Sequence, residues 1–570
     1  MKNREIAGIF DRIADALEFK GEQFFRVLAY RKAARIIEEL TDDIEVLNKE
    51  DKLREIPGIG EGIAKKIDEY LKTGKMKKLA EAMQGIPKDL LELLNIQNLG
   101  PKTLKLANDE LSVKNLKDLK RVIDDGSLAK LFRMGKKKVE NIRKGIVLYE
   151  HGKSRIPIDR ALEIADIVVK YLLKSRLITN ATPSGSLRRM KETIGDIDVL
   201  VSGKNRKKIV EYFTKMPGVM QVLASGDTKG SVILETDLEP IQVDVRIVPE
   251  KQYGAALQYF TGSKEHNIKI RSLAKEKGLK VSEYGVFQGE KPIAGRTEQT
   301  VYKALSLPWI PPEIREDRGE VEAALADKLP KLVGYNDIKG DLHMHTTYSD
   351  ASNTIQEMAK AALKMGYQYI AIADHSKSAN YAGGLSEDRL RKQWDEIDKI
   401  QKKLKEIKIL KATEVDILSS GKLDFSDKIL NQADIVVASV HQGFKQHVTE
   451  RMCAAIENPN INIIAHPTGR LISRRPGYDV NLEKVLEHAR KYEKIMEINA
   501  YPDRLDLNDI WARRAKDMGI KIAINTDAHG IQDLNWMRFG ISVARRAWLE
   551  KPDVINTMEL QIFKKFFGIK

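Results

Sequence analysis

Apolar residues change their spacing twice along this chain. Over the first 80 residues they recur every three or four positions. "IFDRIADALEF" and "FFRVLAYRKAARIIEEL" each gather them on one stripe, so short amphipathic helices are predicted, punctuated by Gly and Pro. In the middle, "IGDIDVLV" and "IQVDVRIV" alternate at period two, which predicts strands carrying acids on one face. From residue 369 onward short apolar runs alternate with helical patterns: "YIAIAD" (369–374), "KILKATEVD" (408–416), "IVVASV" (435–440), "INIIAH" (461–466), "IMEIN" (495–499) and "KIAINTD" (521–527). This alternation predicts a (β/α) barrel, in which functional residues gather at the C-terminal ends of the strands. A charged, helix-like stretch within "REDRGEVEAALADKLPKLVGYND" reads as the linker before it.

At 570 residues the chain exceeds one core, so about three to five domains are expected. No apolar run is long enough to cross a membrane, and "MKNREIAGIFDRI" reads as an amphipathic helix rather than a signal peptide. The single Cys453 excludes an internal disulfide framework and fits a reducing cytoplasm. Net charge is +15, of which +11 falls in residues 1–340, while eight of the ten histidines follow residue 340. The basic excess favours a polyanionic partner, and the two halves look built for different work.

The first half carries a recurring turn. In "LREIPGIGEGIAKKIDEYL" (53–71) Pro57-Gly58-Ile59-Gly60 interrupts the helical pattern for one tight turn, and free N–H groups at the start of the next helix suit a phosphate. This resembles the helix-hairpin-helix of DNA-binding proteins, with Gly58, Gly60 and Lys65 as backbone contacts. "LLNIQNLGPKTLKLA" (93–107) is a weaker copy using Gly100 and Lys102, with Asn98 in place of the first glycine. "LAKLFRMGKKKVENIRKGI" (128–146) is a third. Such segments grip DNA without reading its sequence.

"GSLRRMKETIGDIDVLV" (185–201) puts Asp196 and Asp198 two apart on a strand, and Asp244 lies in a second strand that can pair alongside. Three carboxylates so placed can hold two Mg²⁺ or Mn²⁺ ions about 3.5–4 Å apart, the arrangement that activates a 3′-hydroxyl against a triphosphate. Gly185, Ser186 and Arg189 offer donors to phosphate oxygens. On these motifs the chain resembles DNA polymerases of family X, and "YFTGSKEHN" (259–267), "AKEKGLKVSEYGVF" and "YKALSLPWIPPEIRE" extend the likeness to about residue 318. The resemblance implies that Tyr259 and Phe260 line the sugar, Gly262 leaves room beside it and Asn267 meets the base edge. It also puts Lys66 at the place of a deoxyribose-phosphate lyase nucleophile. Gly62 stands where lyase-active members have a supporting lysine, and Lys66 reads somewhat better as a phosphate contact of the hairpin. Met190 stands where many members have glycine.

In the last third the chemistry sits at predicted strand ends: His343, His345, Asp350, His375, Glu414, His441, His466, Asp527 and His529. Mixed imidazole and carboxylate donors suit Mn²⁺, Zn²⁺ or Fe²⁺, and this many can hold up to three ions. The order HxH…D, DH, E, H, HP, DxH resembles the PHP (polymerase and histidinol phosphatase) superfamily with every position filled, which implies a working phosphoesterase. Arg470 and Lys377 are candidates for gripping phosphate, and Asp374 and Glu497 for supporting ligands; His447 and His488 fit no ligand motif.

The implied fold is a multidomain α+β and α/β chain. It comprises a lyase-like helical domain (1–85), helical fingers (86–153), a nucleotidyltransferase palm (154–252), thumb (253–318), linker (319–338) and a PHP distorted barrel (339–570). The implied function is short-gap filling in base-excision repair on gapped or primer–template DNA with dNTPs. A 3′→5′ exonuclease would accompany it, and abasic-site or 3′-phosphate cleavage is open. The chain is expected to be monomeric and cytoplasmic, at the nucleoid. Two other classes remain: a phosphatase of small phosphomonoesters, and a non-catalytic DNA-binding scaffold. The nucleotidyltransferase core also occurs in RNA-tailing and drug-modifying enzymes, which lack the hairpins and "YFTGS".

Overall fold

The computed structural model describes residues 2–569 apart from 41–43, 88, 97, 133, 152–154 and 238; the expected domain boundary at 153/154 therefore lies outside the described residues. Two compact units result, one of residues 1–154, 218–223 and 232–241, the other of 155–217, 224–231 and 242–570.

The first unit is helical. Its opening helix, Asn3–Lys20, buries Ile6, Phe10, Ile13, Ala14 and Leu17, the one-sided stripe its sequence dictates. A single buried apolar cluster runs from Ile6 to Ile146.

In the second unit β1 (Ile178–Pro183) pairs antiparallel with β2 (Asp196–Gly203), and β2 runs parallel to β3 (Ile241–Val248). The helix Tyr253–Thr261 covers this sheet through Ala256, Leu257 and Phe260 against Leu200 and Val248. A neighbouring core gathers Ile270, Val286, Tyr302, Leu305 and Ile314. The segment read as a linker is not a free connection: Val321 and Ala324 are buried in that core, together with Trp548 from far along the chain.

Later in the chain a seven-stranded sheet comprises β4 (Gly340–Met344), β5 (Tyr369–Ile372), β6 (Lys408–Asp416), β7 (Ile435–Ser439), β8 (Ile463–Ile464), β9 (Ile495–Asn499) and β10 (Ile522–Asn525), all parallel and in sequential order. Six match the predicted runs. The seventh, β4, escaped the apolar pattern because Asp341 and His343 are fully buried within it. β4 and β10 share no continuous ladder, and side chains take its place. Asn556 Nδ2 donates to Gly340 O at 3.1 Å and Ile524 O at 2.8 Å, and Leu342 N donates to Asn525 Oδ1 at 3.1 Å. Only at the C-terminal end does the backbone close, by Asp527 N to His343 O and His345 N to Ala528 O, both 2.9 Å. This closure brings the HxH and DxH motifs together. At the opposite end Phe563 stacks on Tyr369 at 4.2 Å and plugs the barrel.

Candidate active sites

The three turns of the helical unit share one backbone plan. Ile59 N donates to Ile56 O at 3.0 Å, Leu99 N to Ile96 O at 3.1 Å and Met134 N to Leu131 O at 3.0 Å, and Ile59, Leu99 and Met134 are buried. Gly58 sits at φ +97, where a Cβ would lie 2.5 Å from Ile36 Cδ1; Asn98 takes the same left-handed region at φ +67, tolerated by asparagine. Arg133, the corresponding residue of the third turn, lies outside the described residues. Gly60, Gly100 and Gly135 then open helices, their carbonyls accepting from Ile63, Thr103 and Lys138 at 2.9 Å each. Each turn thereby leaves its first helical N–H groups for an anion. Lys65 and Lys102 are exposed, Lys65 in an ion pair with Glu61. Lys66 Nζ donates to Gly62 O at 2.7 Å, and burial followed by the charge of Lys78 lowers its pKa.

On the palm sheet Asp196 and Asp198 alternate with fully buried Ile197 and Val199, so both carboxylates leave one face. The parallel ladder sets Asp198 beside Asp244. Asp244 accepts from Ser231 Oγ at 2.5 Å and Gln242 Nε2 at 2.8 Å and pairs with Lys229 Nζ at 2.6 Å. Burial, then the charges of Asp196 and Asp244, push the Asp198 carboxyl up to about 7. Oxygen donors that repel one another in this way suit a hard divalent cation.

Gly185, at φ +61, packs on that site so closely that a Cβ would lie 2.5 Å from Asp198 Oδ2. Ser186 beside it is half-buried. Arg189 donates through Nε to Glu316 Oε1 at 3.0 Å and through Nη1 to Thr261 O at 2.5 Å, tying the turn to the "YFTGS" segment. Gly262 lies against the same guanidinium, 3.1 Å from its Nη1 for a Cβ built there. Tyr259 and Phe260 meet edge to face at 5.3 Å. Asn267 is already engaged: it donates to Tyr259 O at 2.7 Å and accepts from Gln258 Nε2 at 2.8 Å. Arg188, which no motif singled out alone, forks onto Glu298 at 2.8 and 2.7 Å, and Arg315 bonds the same carboxylate at 2.6 Å. Burial would raise Glu298, yet these two guanidiniums hold it at about 2.

The barrel's interior rows lead directly to its ligands. Tyr369, Ala371 and Ala373 point inward ahead of His375; Leu410 and Ala412 ahead of Glu414; Ile435 and Val437 ahead of His441; Ala523 ahead of Asp527. Each step is even, so the period of two carries the polar residue into the same interior. In β4 the register slips between Asp341 and Met344, and His343 and His345 join the group. His466 and Asp527 hold left-handed backbones at φ +27 and +53, a strain that clusters at functional sites.

Glu414 is the hub. Its Oε1 lies 3.5 Å from His343 Nε2, 3.3 Å from His441 Nε2 and 3.0 Å from His466 Nε2, and its Oε2 lies 2.6 Å from His375 Nδ1. Asp527 Oδ1 is 3.1 Å from His345 Nε2, and Asp350 reaches His529 Nε2 at 3.3 Å and His375 Nε2 at 3.7 Å. Among the described residues three metal-sized groupings emerge: His345, Asp350, His375 and His529; His343, His345 and Asp527; His375, Glu414 and His441. His345 and His375 each belong to two of them. His343 Nε2, His345 Nδ1 and His466 Nδ1 are buried without a hydrogen-bond partner, and His375 Nδ1 and Glu414 Oε2, though 2.6 Å apart, are not aligned for one, which is the state of groups arranged for cations.

Around the ligands, Glu497 Oε1 meets His343 Nδ1 at 2.8 Å, and Asp374 accepts from Thr346 N at 2.8 Å and Thr346 Oγ1 at 2.6 Å. Asp416 meets His441 Nδ1 at 2.6 Å and Asn499 Nδ2 donates to Asp527 Oδ2 at 3.0 Å. Sequence reasoning missed both. Asp416 stands two residues past Glu414 on one strand face, a spacing that was available to find it. Arg470 does not stand free for phosphate: it forks onto Glu192 at 3.0 and 2.6 Å and donates Nε to Arg504 O at 2.8 Å. The cation at the ligand cluster is Arg504, with Nε 3.7 Å from Asp527 Oδ2. Lys377 is exposed, and His447 and His488 fall in none of the metal-sized groupings.

The helix-hairpin-helix domain family matches residues 1–76, the DNA polymerase beta thumb family residues 256–316 and the PHP domain family residues 341–501. The chain is 40% identical to the DNA polymerase/3'-5' exonuclease PolX of Bacillus subtilis (strain 168), across 99% of both proteins. It is 27% identical over 351 residues to DNA polymerase lambda of Arabidopsis thaliana, covering 55% of this chain and 62% of that protein. A protein named as a probable phosphatase of Thermoanaerobacter sp. (strain X514) is 33% identical over 231 residues, 38% of this chain and 89% of its own length. With hairpins, palm carboxylates and a metal-ligand barrel joined in this order, the chain belongs to the family X DNA polymerases that carry a C-terminal PHP domain.

Proposed function

We propose that this protein fills short gaps in DNA during base-excision repair and trims 3′ ends with its PHP site. The observation that carries the reading is the presence in one chain of a carboxylate triad on one sheet face and of nine candidate ligands at one barrel end, eight of them in metal-sized groupings and His466 against Glu414 at 3.0 Å. The regions 1–85, 86–153, 154–252, 253–318, 319–338 and 339–570 are assigned to lyase-like domain, fingers, palm, thumb, connector and PHP barrel. The hairpins hold the duplex by its phosphates through Gly58, Gly60, Lys65, Gly100 and Lys102, without sequence preference.

Asp196, Asp198 and Asp244 would hold Mg²⁺ or Mn²⁺, which supplies charge neutralisation for a triphosphate and acidifies the primer hydroxyl. Gly185, Ser186 and Arg189 face the phosphates of the incoming dNTP, Tyr259, Phe260 and Gly262 its sugar and Asn267 its base. Lys66 faces a 5′-deoxyribose phosphate, which borohydride trapping tests directly.

In the barrel the nine ligands would hold up to three Mn²⁺, Zn²⁺ or Fe²⁺ ions, whose Lewis acidity activates water and neutralises a phosphodiester. Glu497 and Asp416 orient His343 and His441, and Arg504 adds positive charge beside Asp527. The same chemistry suits abasic-site and 3′-phosphate cleavage, with Lys377 at the rim as a further phosphate contact. The protein is proposed to act as a monomer at the cytoplasmic nucleoid; no described helix is long and apolar enough to cross a membrane.

A gapped duplex assayed with and without dNTPs tests the reading. Asp198→Ala should lose nucleotide addition and keep 3′ degradation, and His343→Ala should do the reverse. Loss of both activities in both variants would sink the two-site assignment. Substrates bearing abasic sites, 3′-phosphates or small phosphomonoesters resolve the PHP specificity.

A further inference from the structure

We infer that Arg546, a residue of the PHP region, is a positioning residue for the polymerase's nucleotide site. The inference rests on the polymerase reading above. Arg546 ends the helix Met537–Arg546, which packs on β9 and β10, and it is buried. Its Nη1 donates to the backbone carbonyl of Arg189 at 2.8 Å and to Glu316 Oε1 at 3.0 Å, while Nη2 donates to Asp509 Oδ2 at 2.8 Å. Glu316 Oε1 is the same atom that receives Arg189 Nε at 3.0 Å. One guanidinium therefore holds both the main chain of Arg189 and the acid that orients its side chain. Arg318 reaches Asp509 at 2.9 Å and closes the network.

The clamp acts where the backbone needs it. Arg189 O belongs to the peptide that leads into Met190, and Met190 sits at φ +53, a conformation costly for any side-chain-bearing residue. Arg189 Nη1 in turn bonds Thr261 O, one residue before Gly262. With Nε and Nη1 so held, the plane of the Arg189 guanidinium, the group assigned above to the nucleotide phosphates, is fixed. The planar arginine fork holds a carbonyl and two carboxylates in fixed directions, whereas the compact ammonium of lysine, on a flexible stem, bonds them without that rigid geometry. Without the fork, the turn through Met190 has less to hold it and Arg189 loses its aim.

The test is single-nucleotide primer extension and Mn²⁺-dependent 3′ degradation by full-length Arg546→Lys, Met190→Gly and the double variant. Arg546→Lys should raise the KM for dNTP about ten- to a hundredfold, the loss expected for hydrogen bonds to charged groups, with kcat changed far less. Its 3′ degradation should equal that of wild type. Met190→Gly in the Arg546→Lys background should recover part of the KM, because glycine relieves the left-handed turn. An unchanged KM in Arg546→Lys, no recovery by glycine, or a parallel fall of both activities overturns the inference; the last outcome would make Arg546 a structural tie only. Failure of wild type to extend a primer would instead remove the polymerase reading itself.

Discussion

Replacing Gly185 with alanine places a methyl group where the structure has no room. The new Cβ would lie 2.5 Å from Asp198 Oδ2, closer than the 3.0 Å that real Cβ atoms respect, so the turn or the carboxylate must retreat by roughly half an ångström. The backbone there is also left-handed at φ +61, which costs an alanine about 1–2 kcal/mol. A displacement of about 1 Å at a reacting centre lowers rates about a hundredfold, and half of that about tenfold. Gly185→Ala should therefore slow nucleotide addition about ten- to a hundredfold while leaving 3′ degradation at the wild-type rate. Rapid-quench measurement of single-nucleotide insertion at saturating Mg²⁺, with exonuclease run on the same preparation, reads both. Insertion within about twofold of wild type would refute the placement of Gly185 against the Asp198 carboxylate.

Asp416→Asn should weaken metal binding at the barrel about ten- to a hundredfold, because the carboxylate that orients His441 Nδ1 at 2.6 Å is lost. Titrating Mn²⁺ into chelator-stripped protein should restore degradation only at raised metal, and an unchanged titration curve would exclude this support. Glu298→Gln leaves Arg188 and Arg315 without their buried counter-charge and should cost about 3–5 kcal/mol in urea unfolding. Glu298 and Glu316 are both held at about 2 in the folded protein against burial, by Arg188 and Arg315 and by Arg546 and Lys191 respectively. Because these folded values lie below the ordinary 4.5, their stabilisation is full above that value and is lost as pH falls from 4.5 toward about 2. Urea midpoints should decline over that window, less steeply in Glu298→Gln, and equal slopes in the two proteins would contradict the assignment.

Residue types and their spacing along the chain determined which positions are candidates for chemistry. The candidate positions, Asp196, Asp198 and Asp244, the nine histidines and acids at strand ends and the hairpin glycines, were all legible, because each sits within a few residues of a local pattern: a period of two, an apolar run ending at a strand, a turn between helices. Asn98 could be read as a stand-in for glycine, and its φ of +67 matches the role. β4 was not legible, since buried Asp341 and His343 break the apolar signal that marks a strand. Only the tertiary structure decided that Arg470 serves Glu192, that Arg504 supplies the cation beside Asp527, and that Arg546 holds the turn at Arg189 and Met190. Those partners lie up to 357 residues apart, as for Arg546 and Arg189. No periodicity links such positions; burial forces each charge to find whichever counter-charge or carbonyl the fold delivers, and the fold alone selects it.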